Sequence, residues 1–432
     1  MRVRRSPNRP MVALAIAVLS LLSVGGIASA SGDPPVVAAF RDGPVSIHGG
    51  GTFGTVLSLN VPKGRWLVSA RAGVTSASSP GRTATCRLEA GSDRDTVQAR
   101  NGDLGFTGGS TVLSLIVAHE FGSAGHARLR CTSNGATGAD HVSDLRVSAL
   151  KVGTLTRIVI GRSASTSGSG SPRVVSAARD ASRTVPGDDI YHAIASIPVP
   201  SGSWVVLGKA QVRSGSSGDS VVDCELFAGS DIDDALLSVI GSADRAPVGL
   251  TTEHHFTAAG HASIACRSTA SFHVSSVRLA AVGAGTLTRT ALGGATHSSG
   301  SAPPRVVYGF TDGPVAVPGG GALSSVGSVT LPAGNWTVRA TLFLDDFEGV
   351  PLATTNVKCQ LTLGADTDQV VVEFDPSLGV PDLPITLQDV HHFSSDGVAS
   401  VDCGHKGSIG TVHAHFLRIV AIRAGSLTDT AS

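Results

Sequence analysis

One pattern occurs three times along this chain of 432 residues, and that repetition limits what it can fold into. Val36-Val37-Ala38 opens a unit that ends at Gly153-Thr154-Leu155-Thr156-Arg157. Val174-Val175 opens a second, ending Gly285-Thr286-Leu287-Thr288-Arg289, and Val306-Val307 a third, ending Gly425-Ser426-Leu427-Thr428-Asp429. Inside each unit a Pro-x-Gly-x-Trp turn leads into a strand, at Pro62 to Trp66, Pro200 to Trp204 and Pro332 to Trp336. The first cysteines, Cys86, Cys224 and Cys359, lie 138 and 135 positions apart, and the second, Cys131, Cys266 and Cys403, 135 and 137. Such constant periods mean a triplicated domain, each copy carrying its own core, turn and cysteine positions.

The expected organisation is a signal peptide over 1–30 and three β-sandwich repeats over 31–161, 174–293 and 306–432. The segments 162–173 and 294–305, rich in Ser, Gly and Pro, read as flexible linkers. Within a repeat the pattern is all-β. Leu113, Leu115, Val117, His119 and Phe121 alternate along one strand, and Trp66 to Val74 and Leu145 to Val152 are short apolar runs between Gly, Ser and Asp clusters. No ten-residue helical stripe is present. About eight antiparallel strands in ~125 residues predict a jelly-roll sandwich, large enough to bury a core of its own.

The chain opens with Arg2, Arg4, Arg5 and Arg9, then an apolar run from Met11 to Val24, then Ala28-Ser29-Ala30. That order predicts secretion with cleavage before Ser31 and an extracellular location, and no second apolar stretch long enough to span a membrane follows. In that setting two cysteines per repeat, 45, 42 and 44 positions apart, predict one disulfide in each domain: Cys86 with Cys131, Cys224 with Cys266, Cys359 with Cys403. Without C-x-x-C spacing, zinc is the weaker reading.

With 33 basic and 33 acidic side chains and no basic run, the chain has no electrostatic footprint for nucleic acid. Enzyme signatures are missing too: no nucleophile elbow, phosphate loop, dinucleotide fingerprint or H-E-x-x-H. An acidic turn recurs, with Asp93 and Asp95, Asp231 and Asp233, and Asp366 and Asp368. Carboxylates two apart in a loop suit Ca²⁺ if other oxygens complete the shell, and they equally suit a solvated turn in which Asp bonds its own backbone. No other cofactor is implied. Two histidine columns recur, His119, His254 and His391, and His141, His273 and His413, readable as core histidines or as metal ligands. Trp66, Trp204 and Trp336 read as core anchors, with sugar stacking the alternative.

Phe40-x-Asp42-Gly43-Pro44-Val45 and Phe310-x-Asp312-Gly313-Pro314-Val315, each followed by a strand and Pro-x-Gly-x-Trp-x-Val, resemble the opening of C1q/TNF-like jelly rolls. The whole unit is similar to tandem domains of uncharacterised secreted proteins of high-GC Gram-positive bacteria. Repeat two departs: Ala178-Arg179-Asp180-Ala181-Ser182-Arg183 replaces the Phe and the Gly-Pro. C1q-like domains associate as trimers, so the resemblance implies an intrachain pseudo-trimer, with domains as beads on a string as the alternative. The functional expectation is a secreted, non-enzymatic protein for binding an extracellular protein or glycan, for adhesion or for envelope structure. The alternative is a secreted enzyme or carbohydrate-processing accessory protein whose site lies in loops.

Overall fold

In the computed structural model the described residues are 32–76, 82–101, 110–135, 140–160, 164–215, 220–239, 245–292, 296–345, 355–374, 382–406 and 411–431. The signal peptide expected over 1–30 lies outside them. All regular structure among them is β, and no helix is long and apolar enough to cross a membrane.

The first unit shows the plan. It runs β1 (Val36–Arg41), β2 (Val45–Ser46), β3 (Gly54–Val61), β4 (Gly64–Ser76), β5 (Arg82–Ala90), β6 (Asp93–Asn101), β7 (Ser110–Phe121), β8 (Gly125–Ser133) and β9 (Asp140–Val152). One sheet has the order β1-β9-β4-β7, with β2 also on β9, and the other β3-β8-β5-β6. Counting the eight long strands in sequence, the sheets are 1-8-3-6 and 2-7-4-5, a jelly roll. Units two and three repeat both orders, so the fold is three tandem antiparallel jelly-roll sandwiches. Each contains one disulfide, Cys86–Cys131, Cys224–Cys266 and Cys359–Cys403. Every pair joins directly opposed residues of neighbouring strands.

The recurrent turn has a local cause. Gly64, Gly202 and Gly334 take φ of 139°, 125° and 141°, where a side chain is strained. The tight turn lets the Trp66, Trp204 and Trp336 indoles donate to the carbonyls of Pro62, Pro200 and Pro332 at 2.9, 2.9 and 2.8 Å. All three indoles are buried in their sandwiches, each satisfied by its own turn.

The repeats are joined by strands. β10 (Thr154–Val159), the closing motif of repeat one, pairs in parallel with β12 (Arg173–Arg179), the opening strand of unit two. The stretch read as a linker holds β11 (Ala164–Gly168), which returns antiparallel along β10. Thr286–Ala291, Thr296–Gly300 and Arg305–Thr311 repeat this at the second junction. At the third, Leu427–Ala431 pairs in parallel with β1, Val36 opposite Leu427, so the end of unit three completes the sheet of unit one and the units form a closed circuit.

This closure explains an oddity of pattern. Gly202–Ser214 is buried at nearly every position rather than at alternate ones. One face of that sheet packs into its own sandwich. The other meets the corresponding sheets of its neighbours, in a shared core that includes Val36, Leu67, Val174, Val205, Val306 and Tyr308. A sheet covered on both faces selects a continuous apolar run.

Candidate functional site

The acidic turns sit at the contacts between units. In unit one, β5 and β6 are joined by the two-residue turn Gly91-Ser92, with Gly91 at φ 57°. A Cβ there would lie 2.1 Å from the His119 ring, so the glycine makes room for the imidazole. His119 Nδ1 then meets Asp93 Oδ2 at 2.6 Å and its ring sits edge-on to Phe121. His254 with Asp231 and His391 with Asp366 repeat the arrangement at the same distance. Arg157 adds a bond to Asp93 at 2.6 Å and Arg289 one to Asp231 at 2.8 Å, whereas Asp429 stands at that place in unit three. Burial raises the Asp93 carboxyl, but hydrogen bonds from His119 and Arg157 and the Arg157 charge outweigh it and hold it below the usual range.

The second aspartate of each turn is fully buried and faces the next unit. Asp95 accepts Lys209 Nζ at 2.8 Å on both oxygens and has Arg278 Nε at 3.3 Å. Asp368 is paired with Arg71, with Arg146 Nε at 3.7 Å. Asp233 has Arg418 Nε at 3.1 Å. Each also accepts a backbone N–H of its own unit, from Ile116, Gln388 and Thr251 respectively. Among the six aspartates of the acidic turns, Asp93, Asp95, Asp231, Asp233 and Asp368 thus contact Lys or Arg side chains, whereas Asp366 contacts the His391 imidazole.

The three junctions are not equivalent. Registers align Arg71, Lys209 and Thr341, the cross-strand neighbours of Arg146, Arg278 and Arg418. The second junction, where Asp233 of unit two meets Arg418 of unit three, therefore lacks one cation. Burial pushes the Asp233 carboxyl up to about 7, against about 6 for Asp368, which has two guanidiniums opposing its desolvation. Arg339 lies at the meeting of the pseudo-equivalent residues Ser114, Gly249 and Thr386, donating to Ser114 Oγ at 2.8 Å. Burial lowers its pKa to about 10.

The second histidine column does not gather into a cluster: His141 contacts Ser46, His273 contacts Thr184, and His413 lies 3.9 Å from Asp345. Adjacent His254 and His255 point to opposite faces, toward Asp231 and Ser203.

The group of described residues with metal-ligand spacing lies elsewhere, on the outer sheet of unit two. Asp223, Glu225 and Asp234 bring a ligand oxygen each to within 4.8 Å of one another. Tyr191 Oη is 2.6 Å from Asp223 and 2.7 Å from Glu225, and Arg267 Nη2 is 3.0 Å from Asp223. Burial, then the neighbouring carboxylates of Asp223 and Glu225, push the Asp234 carboxyl up to about 8. Burial and the same two acids raise the Tyr191 phenol. Val221, Ile232 and Leu236 are exposed on this face, and Phe227 packs edge-on to Tyr191. At the positions of Asp223, Glu225 and Asp234, unit one has Thr85, Arg87 and Thr96, and unit three has Lys358, Gln360 and Gln369. The acidic, apolar-rimmed face belongs to unit two alone among the three. The sequence carried a usable signal: a two-residue turn at Gly229-Ser230 fixes Glu225 opposite Asp234.

No protein-family model and no curated protein matches the sequence. Among solved structures, that described as the triple jelly roll fold and turret assembly in an archaeal virus is 10% identical. It covers 92% of each chain at a TM-score of 0.21. The infectious bursal disease virus VP2 subviral particle is 10% identical over 57% of this chain and 72% of that one, TM-score 0.23. The CBM22-1-CBM22-2 tandem domain of Paenibacillus barcinonensis Xyn10C is 12% identical over 58% and 99%, TM-score 0.17. At these identities and TM-scores the similarities carry no argument about this chain, whose jelly-roll fold rests on its own strand orders.

Proposed function

We propose that this is an extracellular, non-enzymatic binding protein, in which three jelly rolls form one rigid ring and the outer face of unit two docks an extracellular protein or glycan. The observation that carries this reading is the break in repetition. The cores and turns of the three units match, while Asp223, Glu225, Asp234, Ile232 and Leu236 distinguish one outer face. Exposed apolar groups around desolvated carboxylates suit a partner that offers hydroxyls or amines beside an apolar surface. One disulfide per unit supports an oxidising location. Ring closure accords with the trimeric association that the resemblance to C1q/TNF-like domains implies.

The test is a panel of immobilised glycans and extracellular proteins, probed with the protein and with an Asp223→Asn/Asp234→Asn/Ile232→Ser variant of unchanged melting temperature. Selective loss of a bound partner supports the reading, and retention of every partner overturns it. A second reading rests on the raised Asp234 carboxyl, since an acid titrating near neutrality beside another carboxylate suits general acid catalysis. Turnover of polysaccharides by the protein, abolished by Asp234→Asn, would establish that reading instead.

A further inference from the structure

A second departure from threefold repetition lies between units one and two. There a cleft of about 890 Å³ opens, bordered by Ile116, Ala118, Arg157, Ala178, Arg179 and Ala280. Its pseudo-equivalent between units three and one, bordered by Gln388, Val390, Asp429, Phe40 and Ser148, holds about 10 Å³. The strand registers say why. Ala178, Phe310 and Phe40 occupy one position, each opposite the buried arginine of its unit, Arg278, Arg418 or Arg146. Ala118, Ala178 and Ala280 thus stand where the second junction has Glu253, Phe310 and Val420, and the third Val390, Phe40 and Ser148. Three small residues together vacate the space that a phenyl ring fills elsewhere.

What that ring does elsewhere indicates what the cleft accepts. At the second junction the Phe310 ring centroid lies 4.5 Å from the Arg289 guanidinium carbon and 5.9 Å from that of Arg418. It also stacks on Tyr308. Arg157 and Arg278, the equivalents of Arg289 and Arg418, border this cleft, and among the described residues no aromatic ring lies over them. Arg157 is held by Asp93, and Arg278 by Asp95 and Asp180. Arg179 is different: its Nε and Nη2 are shielded from solvent and have no hydrogen-bond partner among the described residues. With Arg94, the border carries four guanidiniums against the carboxylates Asp93 and Asp180.

We propose that this cleft binds a small aromatic carboxylate, its ring in the place of the missing phenylalanine against Arg157 and its carboxylate on Arg179. Cation–π contact and a charge-assisted bond then act on one ligand, and the volume lies within the range of small-molecule sites. The site is separate from the unit-two face and does not depend on it.

The experiment is isothermal titration of the intact protein with 2-naphthoate and, as a control of the same shape and opposite charge, 2-naphthylmethylammonium. The expected result is saturable one-to-one binding of the carboxylate and none of the amine. Ala178→Phe, which restores the residue of units one and three, should weaken binding at least tenfold, and Arg179→Gln on the partly exposed rim about tenfold. Should Ala178→Phe fail to fold, Arg179→Gln decides alone. Three results overturn the proposal: no binding of naphthoate at millimolar concentration, equal binding of the amine, or naphthoate affinity unchanged in the folded variants.

Discussion

Replacing Lys209 by Thr would rebuild the second junction at the first. In the native chain Asp95 is buried between Lys209 and Arg278, while at the second junction Thr341 leaves Asp233 with Arg418 alone. Burial pushes the Asp233 carboxyl up to about 7, against about 6 for Asp368, which keeps two cations. A missing cation thus corresponds to a rise of about 1 unit, roughly 1.4 kcal/mol of stability lost through titration at pH 8 in Lys209→Thr. The sign follows from linkage. A carboxyl whose folded pKa is raised keeps its stability when protonated, and loses it as pH climbs through the folded value. At pH 5, below both values, the variant is therefore expected to lose almost nothing from this source. Urea unfolding of native and variant protein at pH 5 and pH 8 measures the difference. An equal loss at both pH values would falsify the electrostatic account and leave Lys209 as packing.

The converse substitution, Thr341→Lys, supplies the missing cation, so it should draw the Asp233 pKa down and narrow the gap between urea midpoints at pH 5 and pH 8. A gap unchanged from the native protein contradicts it. The Cys224→Ala/Cys266→Ala variant opens a loop of sequence separation 42, and the chain-entropy estimate is a loss of about 4 kcal/mol. A midpoint unmoved in urea would show that the sheet alone holds unit two. Deleting residues 426–432 removes the strand on β1 and uncovers Val36 and Ala38 along an unpaired edge. A lower melting temperature and concentration-dependent self-association are expected in light scattering; a monodisperse truncation of native stability would count against the closure.

What the sequence disclosed follows a physical division. Features repeated within a unit were legible, because turn, strand and core positions recur at short range. The Pro-x-Gly-x-Trp motif, the paired cysteines and the alternation through Leu113 to Phe121 each specify local geometry. Features between units were not, because they join residues whose pairing no spacing announces. Asp95 stands out in a recurrent turn, but its partner Lys209 lies 114 positions away. The closing Gly-Thr-Leu-Thr-Arg belongs to one unit by sequence and to the next by hydrogen bonding, so composition alone read 162–173 as linker although 164–168 is a strand. Ala178 is the intermediate case. Its departure from Phe40 and Phe310 was visible in the text, and only the sheet register turned it into a cleft.

The central claim is that the three units close into one particle through Leu427–Ala431 on β1, and small-angle scattering of the protein tests it most directly. A ring of ~400 residues should have a radius of gyration near ~21 Å, as size scaling gives for one compact body. Independent units on extended linkers should give roughly ~35 Å, and that value would contradict the closed ring.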